Sequence, residues 1–425
     1  MRNKPTGLTL GIDFGTSNSA AALIDADGQM HTMALDGVRA EMPTALFFAS
    51  ETHTVLYGSD AMRAYLNGTE GRLLRSLKSL LGSRLMEEYT AVNGHSIQFF
   101  DIVVLFFKEL KRRSEAQLGQ FLTRAMLGRP VHFVDDNPER DALAQETLGR
   151  AAREAGFTDI AFQLEPIAAA LDYEQRVDCE TTALVVDIGG GTSDFTVIRL
   201  NPARSQISDR RTDILATTGV HIGGTDFDRL LDLSTVMPLL GYRHIGTGGR
   251  PVPNSVFFDL TTWHLIHQAY NRKAMHFAKE LWTDYRDQTL HARLMDALEG
   301  QHGHRMLAGV ETAKIACSIS GEDALIDLYF LGHGPSEHLG ATINAPSMAE
   351  TLQQALAQVV ECAQLCVQRS GLPGVDAVYL TGGSSALRPL IAALRTAMPG
   401  AKLVEGNRFG GVAAGLAYAG AALRA

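Results

Sequence analysis

Apolar residues in this chain come in short runs that stop at glycine turns, and two of these arrangements have the same form. Leu8 to Ile12 predicts a strand entering a turn, and Ala20 to Ile24 a strand leaving it. Between them stands Asp13-Phe14-Gly15-Thr16-Ser17-Asn18. Further on, Ala183 to Val186 and Phe195 to Ile198 predict a second pair of strands around Asp187-Ile188-Gly189-Gly190-Gly191-Thr192-Ser193-Asp194. The order strand, Asp, Gly, Thr, Ser, amide or acid, strand thus occurs twice, which is an internal repeat and implies two similar lobes.

Between and after the hairpins the periodicity alternates between strand and helix. Met42 to Phe48 reads as a proline-initiated strand, and the segment from about 36 to 128 as a subdomain inserted into the first lobe. Within it, apolar residues at 73, 74, 77, 80 and 81 have helical spacing with Lys78 beside them. Val131 to Val134 predicts a strand. Asn137-Pro138-Glu139 then supplies an N-cap, a first-turn proline and an acid for a helix that ends at Gly156. Ile160 to Leu164 predicts a strand whose end, Glu165-Pro166, starts a helix through Tyr173. Ile214 to Thr217 is a further strand, and Gly223-Gly224 precedes a helix. A second insertion, about 232 to 310, is rich in His, Trp, Tyr and Arg. Met306, Val310, Ala313 and Cys317 make the buried face of the next helix, with Glu311, Lys314 and Ser318 on another stripe. Ala377 to Leu380 predicts a strand ending in Gly382-Gly383-Ser384, followed by a helix from about Pro389 and a small-residue helix between Gly406 and Gly420.

The turns carry the candidate chemistry. Consecutive glycines let the backbone bend without a Cβ and aim successive N–H groups into one concavity, which suits a phosphate. Thr16, Ser17, Thr192 and Ser193 add hydroxyls. At about 4 Å and an effective dielectric near 20, a carboxylate such as Asp187 repels a phosphate charge by roughly 4 kcal/mol. A hard, oxygen-liganded cation between them, Mg²⁺, resolves the conflict. Each turn alone is equally a glycine-rich hairpin with a capping Asp. Neither is a P-loop, and neither leads into a helix as a dinucleotide fingerprint does. Glu165 lies where open α/β sheets bind ligands, although a capping role is as good a reading. Gly-Gly before a helix suits an anion. Glu311, Lys314 and Ser318 could hold ribose hydroxyls, or form a solvated ion pair.

Composition narrows this further. The 425 residues are 45% hydrophobic with a net charge of −9, which is ordinary for a globular chain and argues against general binding of nucleic acid or an anionic membrane. Four cysteines suggest no disulfide framework, and Cys362 and Cys366 fall in a helical pattern with Leu352, Leu356, Val359 and Ala363, as core thiols. The histidines of the second insertion have no ligand spacing for a metal. Ile102 to Phe107 is too short to cross a bilayer. The amino terminus has no signal-peptide pattern, so a cytoplasmic protein is expected.

Taken in order, Asp-Phe-Gly-Thr-Ser-Asn, Glu165-Pro-Ile-Ala-Ala-Ala, Asp-Ile-Gly-Gly-Gly-Thr-Ser-Asp, Gly-Gly-Thr-Asp-Phe-Asp and Leu-Thr-Gly-Gly-Ser-Ser resemble the ATPase domain of the seventy-kilodalton heat-shock chaperones, from Gly11 to about Ala419. Arg39 to Phe48 and Leu77 to Gly82 are similar to that family's inserted subdomain. The tail Phe409 to Leu416 looks most like the short bacterial branch called YegD. The resemblance implies an α/β, actin-like ATPase fold, with duplicated ribonuclease-H-like cores in lobes 1–180 and 181–425, an insertion in each, and no peptide-binding domain. It implies ATP or ADP as ligand and Mg²⁺ held through water by Asp13 and Asp187. Gly15, Thr16, Ser17, Asn18, Gly189, Gly190, Gly191, Thr192, Gly223 and Gly224 would cradle phosphates. Lys78, Glu165 and Asp194 would act on the γ-phosphate and the attacking water. Glu311, Lys314 and Ser318, with Gly382, Gly383 and Ser384, would contact the nucleoside. The chain departs from the pattern at Thr225, at Ala386 and at Phe409-Gly410. A slow ATPase acting through a protein partner that reads lobe opening is the expectation. A nucleotide-regulated scaffold or actin-like polymer, and a small-molecule kinase, are the alternatives.

Overall fold

A computed structural model describes residues 7–134, 137–202, 210–331, 339–406 and 410–423. The chain divides into two compact units. One comprises Met1–Val220, Cys362–Ser385 and Met398–Ala425, the other His221–Glu361 and Ala386–Ala397.

The first unit holds two sheets with the same strand order and sense. In one, Thr9–Phe14 and Asn18–Ile24 form an antiparallel hairpin. Arg124–Arg129 and then Asp159–Leu164 add in parallel beside its first strand, and Met30–Thr32 adds antiparallel beside its second. In the other, Thr181–Ile188 and Ser193–Leu200 form the hairpin. Ala377–Thr381 and Lys402–Glu405 add in parallel on one side and Ile214–Val220 antiparallel on the other. Both hairpins therefore occupy the same place in their sheets, so the sequence repeat is also a repeat of topology.

Two helices with small residues fill the space against these sheets. Glu165–Glu174 buries Ile167, Ala168, Ala169, Ala170 and Leu171, and Gly411–Ala422 buries Val412, Ala413, Leu416 and Ala417. One core cluster joins Met126 and these helices to Ala183, Val185, Ile198 and Tyr379 of the second sheet. Close approach is built in: a Cβ on Gly415 would lie 1.7 Å from the carbonyl oxygen of Ala168, and one on Gly11 would lie 2.6 Å from the backbone nitrogen of Ala417. Burial of a side chain such as Leu416 contributes about 2–5 kcal/mol against truncation to Ala.

Several local expectations are met. Pro138–Glu154 is helical, with the Asn137 side chain accepting from the Arg140 amide, and Gly156 takes the left-handed φ of +99° just beyond its end. Gly303–Ser320, Ala345–Arg369, Arg388–Ala397 and Gly411–Ala422 are helices.

Two differ. The helical spacing of Leu73 to Leu81 does not make one helix: Gly71–Arg75 is a strand paired with Ala45–Ala49, and a 3₁₀ turn follows over Leu77–Leu80. As a strand, the segment sends Leu73 to a cluster with Phe47 and Ala61 and Leu74 to the main core on the other side. Ser76, left-handed at φ 58°, separates the two pieces. Val131 to Val134 is not a strand either. The strand lies earlier, at Arg124–Arg129, and ends at Pro130, which has no N–H to continue the ladder.

Candidate functional site

Asp13 is the penultimate residue of its strand, and Asp187 holds the same place in the second hairpin, directly opposite Asp194. Both hairpin turns hold a glycine that leaves no room for a side chain. A Cβ on Gly15 would lie 2.1 Å from the carbonyl oxygen of Asn18, and one on Gly190 would lie 2.0 Å from Ser17 Oγ. The second contact brings the two turns against each other within the first unit. Gly189 N donates to the Thr192 carbonyl at 2.9 Å, and Thr192 Oγ1 donates to Asp194 Oδ2 at 2.9 Å.

Lys78 and Glu165 complete the group. Lys78 Nζ donates to Glu165 Oε1 at 2.7 Å, with both side chains about 12% exposed. The left-handed Ser76 turns the chain from strand into the 3₁₀ segment that carries Lys78. Glu165 opens its helix, next to Pro166, at the end of the strand Asp159–Leu164.

The charges act on one another. Burial, and then the negative charge of Glu165, push Asp13 up to about 7, against the pull of Lys78. Asp187 is pushed up to about 8, by burial first and then by Asp194, Glu165 and Asp13. Burial opposes the charge of Lys78, yet Glu165, Asp13 and Asp187 together hold its pKa above the ordinary lysine range. One ammonium thus serves a group of carboxyls that repel one another. An additional cation would relieve that repulsion, so the donor set fits a hard divalent ion. Among the described residues no three or more His, Cys, Asp or Glu are arranged to hold a metal ion directly.

Two residues that the motifs do not single out, Thr44 and Gly128, shape this site together with Gly382 of the last glycine turn. Thr44 Oγ1 donates to the Gly15 carbonyl at 2.8 Å and shares a 2.8 Å bond with Ser19 Oγ, while its amide donates to the Ser17 carbonyl at 2.8 Å. Thr44 therefore braces the first turn. At Gly128 a Cβ would stand 3.1 Å from Glu165 Cγ, so the glycine leaves room for that side chain. An isolated glycine in an apolar strand is the signal that could have pointed to it. Gly382, at φ +81°, has no room for a Cβ, which would lie 2.4 Å from Asp187 Oδ1. It packs behind the carboxylate, while Gly383 and Ser384 continue into a 3₁₀ turn.

The second unit holds the remaining candidates. Gly223 precedes the helix Gly224–Thr235 and its amide is taken by Asp226 Oδ2 at 3.0 Å. Lys314 is buried and pairs with Asp228 at 2.8 Å, and Ser318 Oγ donates to the Lys314 carbonyl at 2.7 Å. Glu311 is exposed. The structure thus pairs Lys314 with Asp228, turns Ser318 back onto its own helix, and leaves Glu311 at the surface. Phe409 lies outside the described residues.

Two glycine turns joined to half-buried carboxyls stand at the same place on duplicated sheets of an α/β protein. The chain belongs to the Hsp70 family: residues 9–235 match the model of the Hsp70 protein. It is similar to the chaperone protein DnaK of Endomicrobium trichonymphae, 30% identical over 52% of this chain and 34% of that one. It is also similar to the chaperone protein DnaK of Thermosipho africanus, at 32% over 52% and 35%, and of Thermosipho melanesiensis, at 31% over the same shares. The chain spans about a third of the length of the curated relatives it matches. Among the described residues no helix is long and apolar enough to cross a membrane.

Proposed function

We propose that this chain binds ATP and ADP with Mg²⁺ and hydrolyses ATP slowly, as a chaperone-like nucleotide-binding domain whose state is passed to a protein partner. The observation that carries this reading is the convergence of Asp13, Asp187, Lys78 and Glu165 beside two phosphate-type turns that touch through Ser17 and Gly190. Asp13 and Asp187 would hold the ion through water. The ion would supply charge neutralisation on the phosphates, which phosphoryl transfer needs more than covalent chemistry.

The chain's own residues supply the rest. Backbone N–H groups of Gly15 to Asn18 and of Gly190 to Thr192 donate to phosphate oxygens. Lys78 donates to the γ-phosphoryl group. Glu165, already bonded to Lys78, and Asp194, fixed by Thr192, orient the attacking water. By resemblance, Gly382 to Ser384 keep the role of nucleoside contacts in the first unit. We assign the chain to two lobes, 1–180 and 181–425, with insertions at about 36–128 and 232–310, to the YegD-like branch, and to the cytoplasm.

Lys78→Ala tests the reading. Single-turnover hydrolysis of labelled ATP should fall by about two orders of magnitude or more, in line with the loss of one preorganised donor, while nucleotide still binds. Hydrolysis at the parent rate would remove Lys78 from the mechanism.

A further inference from the structure

The helix that begins at Glu165 ends at Glu174, and its far end is held by an ionic cluster that the proposed chemistry does not use. Glu174 is the last helical residue, where the helix dipole disfavours a negative charge. It is nonetheless buried at 2% exposure and accepts from Arg210 Nη1 and Nη2, each at 2.9 Å, and from the Asn201 amide at 2.7 Å. Arg210 Nε donates in turn to Asp213 Oδ2, and all three side chains are buried. One guanidinium therefore bridges two buried carboxylates.

Stability alone is a poor reason for such a cluster, because taking the charges out of water offsets most of their attraction. What a bidentate guanidinium adds is fixed geometry. Here it fixes the helix relative to the second sheet. Asn201 follows the strand Ser193–Leu200, which starts beside Asp194, and Asp213 leads into Ile214–Val220, which pairs with that strand. A second tie lies two residues back along the helix, where Tyr379 OH donates to Asp172 Oδ2 at 2.7 Å. At about 1.5 Å per residue, the nine steps from Glu174 back to Glu165 carry this anchoring about 13.5 Å.

We propose that the Arg210–Glu174–Asp213 triad is a register pin: it sets the axial position of the helix Glu165–Glu174, and so holds Glu165 on Lys78 in line with the sheet that bears Asp187 and Asp194. Arg210 and Glu174 are then positioning residues for the site, and this rests on the phosphoryl-transfer reading given above. Displacement of a reacting group by an ångström costs about 100-fold in rate, so slippage of the helix should act on turnover before it acts on binding.

The test uses the full chain carrying Arg210→Met, Glu174→Leu and Asp213→Leu together, an apolar replacement of the whole triad that removes the charge as well as the pin. Expected are a folded protein, a kcat for ATP lowered about 10- to 100-fold, a KM within a few-fold of the parent, and a shifted Lys78 side-chain NMR signal, assigned with Lys78→Arg. A folded triple variant with parental kcat and an unmoved Lys78 signal would overturn the proposal. Arg210→Lys serves as a second variant should the triple variant not fold: it keeps the charge but loses the bidentate contact. A lowered kcat with a shifted Lys78 signal supports the pin, and parental values of both overturn it. Should the parent itself show no hydrolysis, the ATPase reading fails, and the Lys78 signal alone decides whether the pin exists.

Discussion

Ser76 shows how a single residue can mark a site before any ligand is considered. A left-handed backbone costs a non-glycine residue about 1–2 kcal/mol, and Ser76 adopts it one step before the 3₁₀ turn that carries Lys78. Ser76→Gly should therefore leave stability unchanged or raised by up to about 1 kcal/mol, and Ser76→Val should lower it by about 1–3 kcal/mol in urea denaturation. A valine variant as stable as the parent would show that the strain is not there. The carboxyls make a second prediction. A carboxyl held above its unfolded value binds more protons when folded, so its contribution is present at low pH and is lost as pH rises through its folded pKa. For Asp13 and Asp187 that window ends at about 7 and about 8. The melting temperature of the nucleotide-free protein should fall as pH climbs through it, and Asp187→Asn should flatten the slope. A profile equally steep in that variant would place the titration elsewhere. Asp13, Asp187, Lys78 and Glu165 could all be named from sequence, because their neighbours along the chain form motifs. Thr44 and Arg210 could not, because Gly15 and Glu174, which they hold, lie 29 and 36 residues away.

Elements were legible where local chemistry decides them. Asn137 caps its helix, Pro166 stands in the first turn of the helix that Glu165 opens, and the apolar runs around both aspartates are hairpins. Legibility failed where a distant partner decides. Leu73 and Leu74 fit a helix by spacing, but the strand Ala45–Ala49 offers a paired edge and an apolar surface on either face, and pairing with it prevails over the periodicity. Helix contacts show the same dependence on distant neighbours. Gly415 is the point at which Gly411–Ala422 meets Glu165–Glu174, and a methyl group there would overlap the Ala168 carbonyl. Gly415→Ala should thus destabilise by about 1–3 kcal/mol or more, since a packed backbone cannot yield as a flexible side chain does. A variant that melts with the parent would mean that the two helices are not so closely packed.

On the scale of the whole molecule, duplication is the feature that sequence conveyed best, for two hairpins with the same residue order stand at the same position in two sheets of the same strand order. The second unit conveyed least. Its helices between 232 and 310 have no repeated motif, and the pairing of Lys314 with Asp228 depends on which helices meet. Titration calorimetry shows whether the chain binds adenine nucleotide through Mg²⁺. With Mg²⁺ present, ATP and ADP should bind the parent protein with a measurable heat. Chelation of the metal, or the change Asp13→Asn, should weaken that binding at least about tenfold, the loss expected when a carboxylate near a divalent ion is neutralised. Failure of either adenine nucleotide to bind in the presence of Mg²⁺, or binding indifferent to both the metal and Asp13, would contradict the account.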